Sequence, residues 1–152
     1  MPEISNVTVS ITNNRHQMLT IEDGMGVIDR AAKIAFTEGQ CHALAIAFHD
    51  ATGWPIIGIG GDPDSPSHFV VYDPKIDDFV DIGGPKAFTR DWGEHRYMLK
   101  EFTRDEAIQP EFYQKADIKA AIPFVKTLME QLDSLPEVKP KLQGLQYLDK
   151  TF

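Results

Sequence analysis

The chain has a single cysteine, Cys41, among 152 residues, which excludes an internal disulfide and leaves the fold to stand on its packing alone. Long apolar runs are also missing. None approaches the ~20 residues that a bilayer span requires, so no membrane partner is expected. Basic residues are the minority, fifteen Lys and Arg against twenty-three Asp and Glu. The resulting net charge of -8 argues against phosphate-backbone binding as the main task, and hence against a nucleic-acid partner. Met1 to Asn6 carry neither a basic n-region nor an apolar h-region. The expectation is a cytoplasmic protein, or one delivered by a route that needs no classical signal. Internal repeats and low-complexity segments are absent from the sequence.

A hydrophobic fraction of 42% with 10% aromatics is globular composition and excludes wholesale disorder. The length suits one domain over residues 1–152, with a core region at about 20–104 and a C-terminal helix and tail over 105–152. The acidity is concentrated. Between Gly61 and Gly84 stand six aspartates (Asp62, Asp64, Asp73, Asp77, Asp78, Asp81) against one cation, Lys75, so a cationic or neutral protein or peptide segment is the better-matched partner.

Patterning gives an α+β class. Ile4 to Thr12 reads as a short strand rich in β-branched residues. Asp23 to Thr37 has apolar residues at helical spacing, with Asp23 as N-cap and Gly39 as stop. The next helix runs from about Cys41 to Ala51. It is apolar nearly all round and therefore central, and Thr52-Gly53 ends it. Trp54 to Ile59 reads as a buried strand and Gly60 to Ser67 as a loop. His68 to Asp73 and Phe79 to Ile82 form a hairpin. An even connecting loop puts His68, Val70, Tyr72, Phe79 and Asp81 on one face, whereas an odd loop separates His68 from Asp81. Tyr97 to Phe102 is a further strand, and Thr103-Arg104-Asp105-Glu106 resembles a capping box. From Asp117 an amphipathic helix begins, with Pro123 predicting a kink or a fresh start, and Leu135 to Phe152 reads as a loosely packed tail.

The chemistry gathers around Gly39-Gln40-Cys41-His42-Ala43-Leu44-Ala45, which sets the cysteine in the first turn of the central helix. A helix N-terminus and a neighbouring imidazolium both favour the thiolate. The unpaired backbone N–H of a first-turn residue is also a donor for an oxyanion. His68, at a strand start after the Asp64-Ser65-Pro66-Ser67 loop, is the candidate base. Asp81, on the next strand, is the candidate for holding the second ring nitrogen. Gln40 and His42, flanking the nucleophile, are candidates for oxyanion or supporting roles. Trp54, Asp64 and Ser67 are candidates for the cleft rim.

A cysteine opening a helix, with histidine and aspartate following on successive strands over Gly39 to Gly84, resembles the papain-like fold superfamily. The likeness is to its permuted or minimal forms: transglutaminase-like, NlpC-type and papain-fold toxin or effector domains. The resemblance implies a papain-like α+β fold, the cysteine helix packed on an antiparallel sheet of about four or five strands. It also implies a Cys41–His68–Asp81 triad for thiol-protease-like hydrolysis or acyl transfer at an amide or isopeptide bond, with no cofactor. Papain places its oxyanion glutamine several residues before the cysteine, whereas here Gln40 is adjacent.

Rival readings exist for each feature. Cys41 alone reads as a small buried residue. His42 and His49 share a helical face, but no ligand spacing supports a metal. Gly58-Ile59-Gly60-Gly61 lacks the lysine and following helix of a phosphate loop. The aromatic residues Trp54, Phe69, Tyr72 and Phe79 fit a core, and Trp92 with His95 fits a cleft rim or a packed loop. For the whole chain, the rival is a non-catalytic acidic binding or inhibitor protein on a papain-like scaffold.

Overall fold

The computed structural model describes residues 8–12, 18–22, 26–37, 39–60, 66–85, 98–110 and 113–136. Asp64, Trp92, His95 and most of the C-terminal tail lie outside the described residues. Strands β1 (Thr8–Thr12) and β2 (Met18–Glu22) pair antiparallel, Ser10 opposite Thr20. Helices α1 (Arg30–Ala35) and α2 (Cys41–Thr52) follow, then β3 (Ile56–Gly60), β4 (His68–Asp73), β5 (Asp78–Asp81), β6 (Gly84–Pro85) and β7 (Met98–Phe102). Helices α3 (Arg104–Ile108) and α4 (Ile118–Asp133) complete the order. The five strands β3 to β7 form an antiparallel sheet in the order β6-β5-β4-β3-β7, and α2 packs on it, an α+β arrangement.

Helix α2 is the centre of the molecule, as its all-round apolarity predicts. Every residue from Cys41 to Phe48 is buried. One side meets Ile56, Phe69, Val71, Val80 and Phe102 from the sheet and Ile82 from the β5–β6 turn, and the other meets Ala120, Ala121, Phe124, Val125, Leu128 and Leu132 from α4. Each fully buried Phe or Leu in such a core contributes roughly 1.5–3 kcal/mol. Gly53 ends the helix in the left-handed region, φ 78°, as its C-cap. The alternate residues of the sheet (Ile57, Ile59, Val70, Tyr72, Phe79 and Leu99) make a second buried cluster.

Some boundaries differ from the sequence reading. Helix α1 starts at Arg30, not near Asp23, and Asp29 is its N-cap, with a carboxylate oxygen 2.9 Å from Ala32 N. Gly26 shows why the helix starts late. Its φ is +65°, outside the helical region, and a Cβ there would lie 2.4 Å from the Pro123 carbonyl oxygen. Strand β3 begins at Ile56, after Pro55, which has no N–H to give a ladder. Helix α4 runs through Pro123 as one element and is capped by Asp117, so Pro123 does not start a fresh helix. The Thr103 and Glu106 capping box is present as read.

The β4–β5 hairpin has the even loop, residues 74–77, and its register pairs Tyr72 with Phe79 and Asp73 with Asp78. Its turn is tied by the Tyr72 hydroxyl donating to Asp77, which sits at φ 53°, and by Lys75 N donating to Asp73 Oδ1 at 2.9 Å. Burial is the main reason the Asp73 carboxyl titrates above its ordinary range. At the other end of β4, Gly58 stands opposite Phe69, and a Cβ on it would meet Phe102 Cε1 at 2.6 Å and Pro66 Cγ at 2.7 Å. Gly58→Ala is therefore expected to lower the free energy of unfolding by about 1–3 kcal/mol, read from urea denaturation.

Candidate active site

Cys41 is the first residue of α2, and its Sγ rests on the beginning of β4, where Phe69 N–H donates to it at 3.4 Å. The first N–H groups of a helix have no partner within it, so the thiol stands beside a local excess of donors. His68 opens β4. Its Nε2 donates to Asp81 Oδ2 at 2.8 Å, which leaves Nδ1 as the other ring nitrogen, and the imidazole is close enough to the Cys41 thiol for the two to shift each other's titration. The other Asp81 oxygen, Oδ1, accepts from Gly83 N at 2.8 Å, so the carboxylate is fixed from both sides and is only 5% exposed. The structure thus brings Cys41, His68 and Asp81 together, each from a different element.

The electrostatics of the pair are reciprocal. Burial alone pushes the Cys41 thiol up, but hydrogen bonds and charge from His42 and His68 outweigh it and bring the group down to about 6. Burial likewise lowers His68, while its hydrogen bonds to Asp81 and Cys41, and the charges on both, raise it to about 10. The two titrations belong to the pair. Between these values the favoured state is thiolate beside imidazolium.

Cys41 is nonetheless only 2% exposed. Tyr113 lies against it, at the start of a segment, 113–117, fastened by the residues on either side of the cysteine. Gln40 Oε1 accepts from Asp117 N at 2.9 Å, and Gln40 Nε2 donates to Lys115 O at 3.3 Å. His42 Nε2 donates to Gln114 O at 2.6 Å. Its Nδ1 is buried without a hydrogen bond of regular geometry. Tyr113 completes the cover. Its hydroxyl lies 4.0 Å from Cys41 Sγ and donates to Pro66 O at 3.0 Å, and its ring packs edge-on against His42 and Phe69.

Gln40, read as an oxyanion donor, has both ends of its amide committed to the backbone of the covering segment. His42 supports that segment and polarises the thiol. Ser67 is exposed beside His68, its N–H and hydroxyl both donating to Ile59 O. Trp54 is not at the rim. It stacks on Phe48 (centroids 5.9 Å apart) beyond the C-terminus of α2, a helix of twelve residues, which is about 18 Å of rise from Cys41. Asp64 lies outside the described residues.

Sequence reading missed Tyr113, which stands 72 positions from Cys41 in a stretch with no motif, and only the fold relates them. Among the described residues no group of three or more His, Cys, Asp or Glu is arranged to hold a metal ion, and no helix is long and apolar enough to cross a membrane. Comparison with protein families, curated proteins and solved structures finds no match for this chain.

Replacing the clamp tests the role of the cover. Gln40→Ala strands the Asp117 N–H and the Lys115 carbonyl. It is expected to cost about 1–3 kcal/mol of stability in urea denaturation. It is also expected to raise the plateau rate of Cys41 alkylation severalfold, because the segment over the thiol is held less firmly.

Proposed function

We propose that this protein is a cysteine-dependent hydrolase or acyltransferase acting on an amide or isopeptide bond of a protein or peptide. The single observation that carries the reading is the His68–Asp81 hydrogen bond at 2.8 Å beside a thiol at a helix N-terminus, whose Sγ accepts from the N–H of Phe69, the residue next to His68. Three roles follow. Cys41 Sγ attacks the carbonyl carbon, His68 passes its proton to the leaving amine, and Asp81 fixes the tautomer and stabilises the imidazolium. Water or an amine then takes the acyl group from sulfur and regenerates the thiolate. The likeness to papain-like enzymes supports the same assignment, and it rests on the order Cys41, His68, Asp81 in this chain. The surplus of aspartates from Asp62 to Asp81 favours a cationic or neutral substrate segment.

The 2% exposure of Cys41 favours a second reading, a non-catalytic acidic binding protein that keeps the scaffold. One experiment separates them: the pH dependence of Cys41 alkylation by iodoacetamide in the folded protein, wild type against His68→Ala. The thiolate forms as pH rises through the thiol pKa, so wild type should label with a midpoint near the lowered value of about 6. Removing the imidazole leaves burial opposed by His42 alone and moves the midpoint upward, which makes the variant at least ~10-fold slower at pH 7. Asp81→Asn should reduce turnover of an amide substrate by a larger factor than it reduces alkylation, since the acid step depends on the imidazolium and alkylation does not. Labelling that is absent, or indifferent to His68, sinks the catalytic reading and leaves the binding protein.

A further inference from the structure

Attack on a carbonyl moves a pair of electrons onto its oxygen, and the donors aimed at that oxygen supply much of the rate of acyl transfer. The Cys41 backbone N–H is one such donor by its place in the first turn of α2. The side chains flanking it are engaged with the 114–117 backbone, the Gln40 amide with Lys115 and Asp117 and the Nε2 proton of His42 with Gln114. We propose that the hydroxyl of Tyr113 is this second donor, and that Tyr113 is a catalytic residue of the site. The inference rests on the reading of Cys41 as an acyl-transfer nucleophile and deepens it.

The geometry closes. In a tetrahedral adduct the oxygen lies roughly 2.7 Å from the sulfur, and a hydroxyl hydrogen bond to it spans about 2.8 Å, so a donor about 4 Å from Sγ is within reach of it. The Tyr113 hydroxyl is 4.0 Å away. Its ring is held by edge-on contacts with His42 (4.9 Å between centroids) and Phe69 (5.3 Å), so the oxygen is positioned before any substrate arrives. In the free protein the hydroxyl proton is directed to Pro66 O, and rotation about the phenolic C–O bond redirects it to an oxyanion with no movement of the ring. Burial, together with the Cys41 charge, keeps the phenol well above its ordinary pKa, so it remains a proton donor throughout the range in which the thiolate exists.

The test uses two reagents on the 152-residue chain. Iodoacetamide alkylates the thiolate by displacing iodide from carbon, and no oxyanion forms. With 4-nitrophenyl acetate, Sγ forms a bond to the carbonyl carbon and the π pair moves to oxygen. Collapse then breaks the ester C–O bond, leaving an S-acetyl cysteine and releasing 4-nitrophenolate. Tyr113→Phe keeps the ring and its packing. Plateau rates above the thiol midpoint remove any change in thiolate fraction.

The expected result is a 10- to 100-fold loss in nitrophenolate burst rate with less than about a threefold change in alkylation. Equal effects on both reagents, or an unchanged burst, overturn the donor role of Tyr113 while leaving the nucleophile intact. A further check needs no variant: the wild-type thiolate should be acylated faster, relative to its alkylation, than a free cysteine thiolate. Equal ratios would also overturn the proposal. Failure of the underlying reading is distinguishable, because it is seen as alkylation indifferent to His68.

Discussion

Burial of α2 on every side sets the terms for the rest of the molecule. A helix whose first eight residues are all enclosed cannot leave its N-terminal polar groups to water. The two polar side chains at that end, Gln40 and His42, are 3% and 0% exposed; the Gln40 amide and the Nε2 of His42 bond to backbone atoms of residues 114–117. The same polar seam therefore closes the end of the helix and ties in the segment leading to α4. Cys41 lies between the two clamps, so its place under Tyr113 follows from how the helix end is satisfied.

The second constraint is electrostatic. A buried thiolate and a buried imidazolium are each unfavourable alone, and here burial works against the charged form of both. They are sustained by each other and by Asp81, whose second oxygen is anchored at Gly83. Register makes this possible. The turn of residues 74–77, tied by Tyr72 to Asp77, fixes Tyr72 opposite Phe79 and puts Asp81 within reach of His68. A slip of one residue would turn Asp81 to the other face of the sheet and leave the imidazole with the thiol as its only charged partner.

What the sequence discloses here is mostly local chemistry. The Cys41 helix with its Gly53 stop, the hairpin with its parity condition and the Thr103 capping box could be read because each depends on residues a few positions apart. Long-range packing could not. Helical periodicity ahead of Asp29 looked continuous because nothing local shows that the backbone of Gly26 is pressed against α4, where Thr127 Oγ1 donates to its carbonyl at 2.7 Å. Trp54 looked near the cysteine in sequence, but a helix turns those positions into distance along its axis. Gln40 looked like a donor to substrate until the 113–117 segment, more than seventy residues later, was seen to occupy its amide.

The Gln40 clamp also joins two parts of the molecule. Asp117, whose N–H is held by Gln40, is also the N-cap of α4, its carboxylate facing Ala120 N. The stretch that carries Tyr113 and the first turn of α4 are thus fastened at one point, the Gln40 side chain. Loss of that one side chain would loosen the start of α4 and the stretch beside Cys41 together.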